Sequence, residues 1–377
     1  MLVAQQQLKG WSMGKQIVTR RRFVQSIAGG AAAAGILTPR LLAAAAPPGA
    51  DTPGVERFVA RTPPGFYPWS APGRVVKVAA KSSFSDIMQP NQLWPKEDVA
   101  RRLLERAMMD LTGAPTLVEA MKKFIHKDDV VAIKPNGIAG QKGATMAVNF
   151  ELILPVVEAV LAVGVPAERV TVYEQYPTYL VGCRVNAGKW KLPDGVKTTT
   201  HNNRDMEMPP VRIYQGIPTR YCRTFTDATA VIDMTMIKDH GICGYTGTMK
   251  NITHGNVNNP QDHHAHAASP QIAMLYNHPI VTSRVRLHIT DAFKIMDDRG
   301  PLDRDPRARI AHGAVYVATD PVAMDAVGWD VVEASRKQRR LPTLTEARRE
   351  PRYIRTAADL GLGVLDRNQI RLTSVEV

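Results

Sequence analysis

A buried strand, a helix and a second strand follow one another along this chain, and this order constrains the fold more than any other feature. Residues 129–133 form an almost uninterrupted apolar run, as in strands that are buried on both faces. Residues 149–163 carry apolar side chains at helical spacing, and Gly164 suits the end of that helix. Residues 169–174 again have the pattern of a strand. The order is typical of a crossover unit that joins two parallel strands.

The rest of the chain continues the alternation of strands and helices. Further strands are predicted at 74–79, 229–234, 285–290, 314–318 and 369–372. Helices are predicted at 98–111, 114–125, 321–334 and 356–360. Asp320 and Pro321 suit the cap and the first position of the third of these helices, whereas residues 175–225 carry no clear pattern. We therefore predict an α/β fold for one domain at 74–377, with a mostly parallel sheet and helices on both faces.

The first 45 residues resemble an export signal. Residues 19–24 read Thr-Arg-Arg-Arg-Phe-Val, which is the residue order of a twin-arginine motif. A short Gly-rich apolar run at 26–37 and small residues at 43–45 follow it, as in a cleavable signal. We predict that residues 1–45 engage the twin-arginine export machinery and direct the protein to the periplasm or another extracytoplasmic compartment. A basic amphipathic arm or an uncleaved anchor is the alternative.

The chain beyond the signal is basic and begins with a linker. Residues 46–73 are rich in Pro and Gly, which predicts an extended segment before the domain. The 377 residues carry a formal net charge of +13, and six basic residues lie in the signal, so about +7 remains. This excess suits a small anionic molecule or a membrane surface and does not require nucleic acid. No later stretch reaches 18 consecutive apolar residues, so no membrane span is expected in the mature protein.

The three cysteines, Cys183, Cys222 and Cys243, follow no metal-binding spacing. Their positions match neither a zinc nor an iron–sulfur pattern, and an odd number of cysteines cannot pair completely. One disulfide would suit an oxidising compartment. Three small buried side chains are the alternative.

Polar residues follow two of the predicted strands at the positions where ligands bind in α/β proteins. Lys134 and Asn136 come after the first apolar run, and Lys238 and His240 come after the strand predicted to end near Thr235. Because the carboxyl ends of parallel strands share one edge of a sheet, these side chains are expected to converge. We predict catalytic roles for Lys134, Lys238 and His240. Asn136 is predicted to bind a ligand, and a solvated turn is the alternative for its segment.

Residues 249–266 form the most polar segment, which we interpret as a loop. Four of the ten histidines lie in it, and Lys250 and Asn251 near its start are predicted to bind a ligand. The predicted metal ligands are His254, His264 and His266. Imidazoles near carboxylates suit a divalent transition metal, and together with lysine they could instead bind phosphate or carboxylate. The spacing matches no known zinc site, so a polar loop that is merely rich in histidine is the alternative.

Two aspartates complete the predicted site. Asp291 comes at the end of the strand at 285–290 and should face the ligand edge, so we predict a catalytic role for it. Asp325 lies about one turn into the helix that Asp320 is predicted to cap, and it is predicted to bind the ligand. Lysine, histidine and aspartate side chains at one edge suit proton abstraction or metal binding, without being diagnostic of one reaction.

Short motifs at these positions occur in the order found in a known family. They are Lys134-Pro135-Asn136, Lys238 with His240, Lys250-Asn251 with Gly255, Asp291-Ala292, Gly300-Pro301, and Asp320 to Asp325. Over about residues 74–335 the chain resembles the domain of unknown function 362 family. Many relatives append a ferredoxin-like segment with Cys-x-x-Cys repeats, which this sequence lacks, so no iron–sulfur cluster is expected. More remotely, the layout is similar to the nickel-pincer lactate racemases, in which Lys and His residues hold a cofactor and exchange a proton.

These observations lead to competing hypotheses about function. The first is an exported protein with an enzyme-like site of Lys, His and Asp that acts on a small anionic compound, with or without a metal or organic cofactor. The alternative is a non-catalytic periplasmic binding protein for a metal or an anionic ligand. A structural scaffold with incidental histidines is the third. Solvent-hydrogen exchange with hydroxy acids would separate an enzyme from a binding protein.

Overall fold

The computed structural model describes residues 52–138 and 145–377. The predicted signal at 1–45 and the first residues of the predicted linker lie outside the described residues. The described strands are β1 (Arg74–Ala79), β2 (Val131–Pro135), β3 (Val170–Glu174), β4 (Lys197–Thr200), β5 (Val211–Arg212), β6 (Pro218–Thr219), β7 (Ala230–His240), β8 (Gly244–Thr246), β9 (Val285–Met296), β10 (Arg309–Ala318) and β11 (Arg371–Glu376). Each predicted strand therefore has a counterpart in the structure.

Helices alternate with these strands. They are α1 (Phe84–Ile87), α2 (Glu97–Thr112), α3 (Leu117–Met121), α4 (Phe150–Ala162), α5 (Pro177–Gly182), α6 (Arg223–Asp227), α7 (Thr248–His254), α8 (Ser269–Tyr276), α9 (Pro279–Thr282), α10 (Pro321–Gln338) and α11 (Tyr353–Asp359). Helices α2 and α4 confirm the helices predicted at 98–111 and 149–163. The cap predicted for α10 is also confirmed, since the Asp320 carboxylate accepts the Ala323 N–H at 2.8 Å.

Nine of the strands form one sheet in the order β11–β1–β10–β9–β7–β2–β3–β4, with β8 beside β7. Strand β10 is antiparallel to both of its neighbours, and β8 is antiparallel to β7. The other neighbouring pairs are parallel. Seven strands thus run in one direction and two in the other, which confirms an α/β fold with a mostly parallel sheet.

Helices cover both faces of the sheet, because successive residues of a strand point to opposite sides. In β2, Val131 and Ile133 pack with α2, α3 and α4 in one hydrophobic cluster. Ala132, between them, packs in a second cluster with α7, α8, α10 and α11. Lys134 is two residues beyond Ala132 and therefore lies on the α7 side of the sheet.

Two strands near the predicted site are longer than the sequence indicates. Strand β7 does not end near Thr235 but continues to His240, because β8 pairs with its last three residues and all eleven of its residues are buried. Strand β9 likewise continues through Asp291 to Met296, because β10 pairs with it over this length. Lys238, His240 and Asp291 therefore belong to strands and not to the loops that follow them.

The segment interpreted as a loop at 249–266 is also more regular than expected. Its first part is helix α7, which is buried along its whole length, and residues 262–268 form irregular 3-10 turns. Helix α7 packs Met249 and Ile252 in the second hydrophobic cluster, and it is otherwise polar in sequence because Lys250, Asn251 and His254 lie near the buried polar groups at the ends of β2 and β7. Segment 175–225 contains the short elements α5, β4, β5, β6 and α6.

From the sequence, a disulfide and a membrane span were also considered. Cys183, Cys222 and Cys243 are all buried and free. Within the ranges that the structure describes, none of the helices combines the length and the apolar character that crossing a membrane requires.

Candidate functional site

A cavity of about 380 Å³ lies at the carboxyl ends of β2, β3 and β7. This is the edge at which α/β sheets bind ligands. The predicted site residues that line it are Lys134, Asn136, His240, Lys250, Asn251, His254 and His264. The structure thus brings together seven of the eleven predicted residues, which come from three segments that are far apart in the sequence.

Lys134 is neutralised by a glutamate at the floor of the cavity. Its Nζ lies 3.0 Å from Glu174 Oε1, and both side chains are almost fully buried. The same ammonium donates to the Pro135 carbonyl at 2.9 Å. Glu174 also accepts the Gly137 N–H at 2.7 Å, so the pair is hydrogen-bonded as a buried ion pair must be.

A chain of amides connects β2, α7 and β7 behind this pair. The Lys238 ammonium donates to Asn136 Oδ1 at 2.9 Å, and Asn136 Nδ2 donates to Asn251 Oδ1 at 3.2 Å. Asn251 Nδ2 in turn donates to Asp233 Oδ1 at 2.7 Å, and the other oxygen of Asp233 lies 3.0 Å from His288 Nδ1. Burial raises the pKa of Asp233 and lowers that of Lys238 to about 8. The network holds Asn136 and Asn251 in one orientation.

Helix α7 is held in place by the aspartate that the sequence assigned to ligand binding. Asp325 accepts the N–H groups of Thr248 and Met249 at 2.6 and 3.1 Å, and Tyr353 donates to it at 3.1 Å. Burial nevertheless raises the pKa of Asp325 to about 7. Asp325 does not line the cavity, so its contacts position the helix that carries the cavity residues.

The glycine after α7 allows this helix to approach Lys134 closely. A Cβ at Gly255 would lie 2.4 Å from the Asn251 carbonyl oxygen and 3.0 Å from Lys134 Cε. Any side chain at this position would therefore displace the Lys134 side chain. The close approach explains why a glycine follows the Lys250-Asn251 pair.

Lys250 differs from the other lysines of the site because its ammonium group has no partner. Only 6% of the residue is exposed, yet among the described residues its Nζ forms neither a hydrogen bond nor an ion pair. Burial lowers the pKa of Lys250, since no carboxylate compensates for the lost hydration. A buried and unpaired amine that faces a cavity is a group that can bind or react with a ligand.

Two neutral histidines present opposite hydrogen-bonding properties to the cavity. His240 Nδ1 accepts the N–H groups of Ile242 and Cys243 at 3.1 and 3.3 Å, so the proton of the neutral ring is on Nε2. His264 Nδ1 lies 2.8 Å from the Pro260 carbonyl oxygen and must donate to it, so Nε2 carries a lone pair. Burial lowers the pKa of His240 to about 2 and that of His264 to about 4. The two rings stack with centroids 5.6 Å apart.

The three predicted metal ligands are not arranged as a metal site. His254 Nε2 donates to the His263 carbonyl at 3.0 Å, and its Nδ1 lies 3.2 Å from Thr253 Oγ1, so both nitrogens are engaged. His266 is exposed, lies outside the cavity and contacts Gln215. Within residues 52–138 and 145–377, no group of three or more His, Cys, Asp or Glu side chains could hold a metal ion. Of the three, His264 lines the cavity and has a nitrogen, Nε2, without a partner among the described residues.

Asp291 and Lys238 are close to the site but do not line the cavity. Asp291 accepts the backbone and side-chain N–H groups of Asn149, at 2.7 and 2.8 Å, and thereby fixes the start of α4. Its neighbours in β9, Ile289 and Phe293, pack in the cluster on the α4 side, opposite Lys134. The structure therefore does not bring Asp291 together with the cavity residues.

Glu174, Tyr176 and Tyr179 also line the cavity and were not predicted from the sequence. Glu174 is the last residue of β3, so the rule that selected Lys134 at the end of β2 would also have selected it. The two tyrosine rings meet edge to face at 5.2 Å. Burial and the nearby Glu174 raise the pKa of Tyr179 to about 12.

Comparison with known proteins places this chain in a family. The model of the family Domain of unknown function (DUF362) matches residues 131–330, which is more than half of the chain. The chain belongs to this family. The matched region includes β2, β7, α7 and most of α10, and hence all seven of the cavity residues named above. No curated protein matches the chain.

Proposed function

We propose that this protein is an exported enzyme that binds a small anionic compound in the cavity and moves a proton on it. The observation that carries the proposal is Lys250, a largely buried residue that lines the cavity and has no partner among the described residues, near two neutral histidines with opposite hydrogen-bonding properties. A group of this kind is costly to the fold, so its position is best explained by a ligand.

Charge balance in the site favours an anion. Lys134 and Glu174 neutralise each other, whereas Lys238 and Lys250 form no ion pair with any described carboxylate. Asp233, the nearest member of the amide network, is already hydrogen-bonded to Asn251 and lies next to His288. The uncompensated charge is positive, and a carboxylate or phosphate ligand would compensate it in a low-dielectric site.

The histidine tautomers favour proton transfer. His264 Nε2 can accept a proton, and His240 Nε2–H can donate a hydrogen bond to an oxygen that becomes negative. Backbone groups fix both tautomers, so neither ring has to reorganise when a ligand binds. We assign His264 as the base, His240 as the hydrogen-bond donor, and Lys250 as the group that attracts the anion.

The proposal is tested by solvent-hydrogen exchange. Small hydroxy and oxo carboxylates, beginning with lactate and pyruvate, would be incubated with the protein in deuterium oxide, and label at carbon would be followed by NMR. We expect exchange with the native protein and at least a ~100-fold loss in His264→Asn, whose amide keeps the bond to the Pro260 carbonyl but is not a base. His126→Asn, outside the cavity, is the matched control.

The outcomes of this experiment separate the hypotheses. Carboxylate binding without exchange would support the non-catalytic binding protein instead. Exchange that is equal in His264→Asn and His126→Asn would contradict the role of His264. Absence of both binding and exchange for carboxylates and phosphates would contradict the anionic substrate.

Export is the second part of the proposal, and it depends on the sequence alone. The twin-arginine motif at 19–24 and the apolar run after it support passage of the folded protein to the periplasm or an equivalent compartment. Export in the folded state would suit a site whose residues come from segments far apart in the chain.

A further inference from the structure

We propose that the Lys250 amine forms an imine with the carbonyl group of an anionic ligand, such as a short 2-oxo acid or an aldehyde acid. The inference rests on the proposed function, because it uses the same cavity. It goes further by naming the bond that forms and the class of compound that can form it.

The surroundings of the three lysines select Lys250 for this role. Lys134 donates to a carbonyl and pairs with Glu174, so its nitrogen lone pair is not free. Lys238 donates to Asn136 and does not line the cavity. Lys250 lines the cavity and has no described partner.

Burial favours the neutral form of Lys250 by lowering its pKa. The nearby rings of His240, His254 and His264 are held neutral by burial, so they supply no negative charge that would stabilise an ammonium group. Asp325, which contacts α7, is bound to backbone N–H groups at the helix start. A lysine amine is nucleophilic only when it is unprotonated, and desolvation among such neighbours is how proteins achieve this.

The cavity also supplies the proton transfers that imine formation requires. The Lys250 nitrogen attacks the carbonyl carbon, while His240 Nε2–H donates a hydrogen bond to the oxygen and keeps its proton. His264 Nε2 accepts the proton that the nitrogen loses, and the oxygen takes a proton from solvent to form a carbinolamine. The His264 imidazolium then returns its proton to the hydroxyl group as the C–O bond breaks, so that water leaves and an iminium ion remains. No oxidant or reductant takes part in these steps.

The proposed ligand carries an anionic group that would stabilise the iminium ion. The iminium nitrogen is positively charged and lies in the cavity next to the carboxylate of the ligand. It also withdraws electrons from the adjacent carbon, which makes a C–H bond there more acidic. The same His264 nitrogen could then remove that proton, which connects the imine to the proposed exchange reaction.

Reductive trapping tests the imine directly. The full-length protein would be incubated with glyoxylate and sodium borohydride, digested, and mapped by mass spectrometry. Reduction of a glyoxylate imine leaves a carboxymethyl group on the lysine nitrogen. We expect labelling of Lys250 at least ~10-fold faster than that of the exposed Lys127, and its loss in Lys250→Arg, which keeps the charge but cannot form an imine.

A competition experiment with the native protein tests the imine without relying on the folding of the Lys250→Arg variant. Lactate has a carboxylate but no aldehyde or ketone group, so it cannot form an imine. It should slow the labelling of Lys250 and leave that of Lys127 unchanged. Calorimetric binding of lactate to the native protein tests the anion site separately, and thermal melting reports whether Lys250→Arg is folded.

The results distinguish failure of the imine from failure of the proposed function. Labelling of Lys250 no faster than Lys127, with lactate still bound, would overturn the imine and leave the anion site intact. Equal labelling without lactate binding would overturn both. Selective and lactate-sensitive labelling of Lys250 would support both.

Discussion

Single residues of the same type have different roles in this site, and their contacts decide which. Lys134 is part of a buried ion pair and Lys238 supports an amide network, whereas Lys250 lines the cavity and has no partner among the described residues. Among the histidines, His254 uses both nitrogens to hold backbone and side-chain groups, whereas His264 keeps one nitrogen free. These different roles could not be predicted from the residue type or from the position of the residue at the end of a strand.

Replacing Lys250 should separate function from stability. Lys250→Met removes an amine that lines the cavity without a partner among the described residues and keeps most of the side-chain volume, so we expect the free energy of unfolding not to fall, and to rise by at most about 1–3 kcal/mol. Binding of carboxylates should be lost. Chemical denaturation and calorimetry measure the two effects, with the exposed Lys127→Met as the control. A destabilised Lys250→Met protein would show that the amine has a structural partner.

The pH response of His264 should reveal a buried base. Its pKa is lowered to about 4 from the ordinary value of 6.5, because burial disfavours the charged ring. The neutral form, which carries the lone pair on Nε2, should therefore persist as the pH falls through 6.5 and disappear only near pH 4. NMR titration of the ring protons, assigned through His264→Asn, measures this. A midpoint near 6.5 would mean that the ring is solvated.

At the scale of elements, α7 presents the site because other elements hold it rigidly. The Asp325 carboxylate on α10 accepts the first two N–H groups of α7, and Gly255 lets the end of α7 lie against Lys134. A short helix has little stability of its own, so these tertiary contacts determine its position. Asp325 thus influences the cavity without lining it.

Removing this support should affect both the fold and the cavity. Asp325→Ala leaves the Thr248 and Met249 N–H groups and the Tyr353 hydroxyl without their acceptor, so we expect a loss of about 1–3 kcal/mol in unfolding free energy. Carboxylate binding should also weaken, because Lys250 lies on the loosened helix. Asp330→Ala, on the same helix and paired with the exposed Arg367, should cost less than about 1 kcal/mol. Equal losses in the two variants would contradict the role of Asp325.

At the scale of the whole molecule, the sheet brings distant segments to one edge. Strands β2, β3 and β7 are neighbours and parallel, so Lys134, Glu174 and His240 meet at their carboxyl ends. Of the two strands that run in the opposite direction, β10 lies on the far side of β9 from these three strands, and β8 pairs only with the end of β7. The topology therefore explains why one cavity collects most of the predicted residues.

The proposed export would also depend on the whole chain, because the twin-arginine pathway carries folded proteins. Replacing both Arg20 and Arg21 by Lys should leave the precursor in the cytoplasm, since that pathway recognises the arginine pair. Cell fractionation in the native host measures the distribution, and the exposed substitution Lys127→Arg is the control. Export of the double variant at the native level would show that residues 1–45 act in another way.

The sequence by itself determined the alternation of strands and helices and the sheet edge at which the cavity lies. Apolar periodicity reports local burial, and β2 and α4 were predicted from it to within two residues because their side chains face the core. The ends of β7 and β9 were not predicted correctly. Both strands are longer than expected because they pair with β8 and β10, and no local sequence pattern reports such pairing. The same limit applies to α7, whose polar residues face buried polar groups.

Only the tertiary structure decided what each polar side chain at that edge does. Asp291 turns towards α4 because Asn149 offers it two N–H groups, and His254 is occupied by the His263 carbonyl. Lys134 pairs with Glu174, whereas Lys250 has no partner among the described residues. The partner of a buried polar group is whichever group long-range packing places within hydrogen-bond distance, and spacing along the chain does not encode that distance.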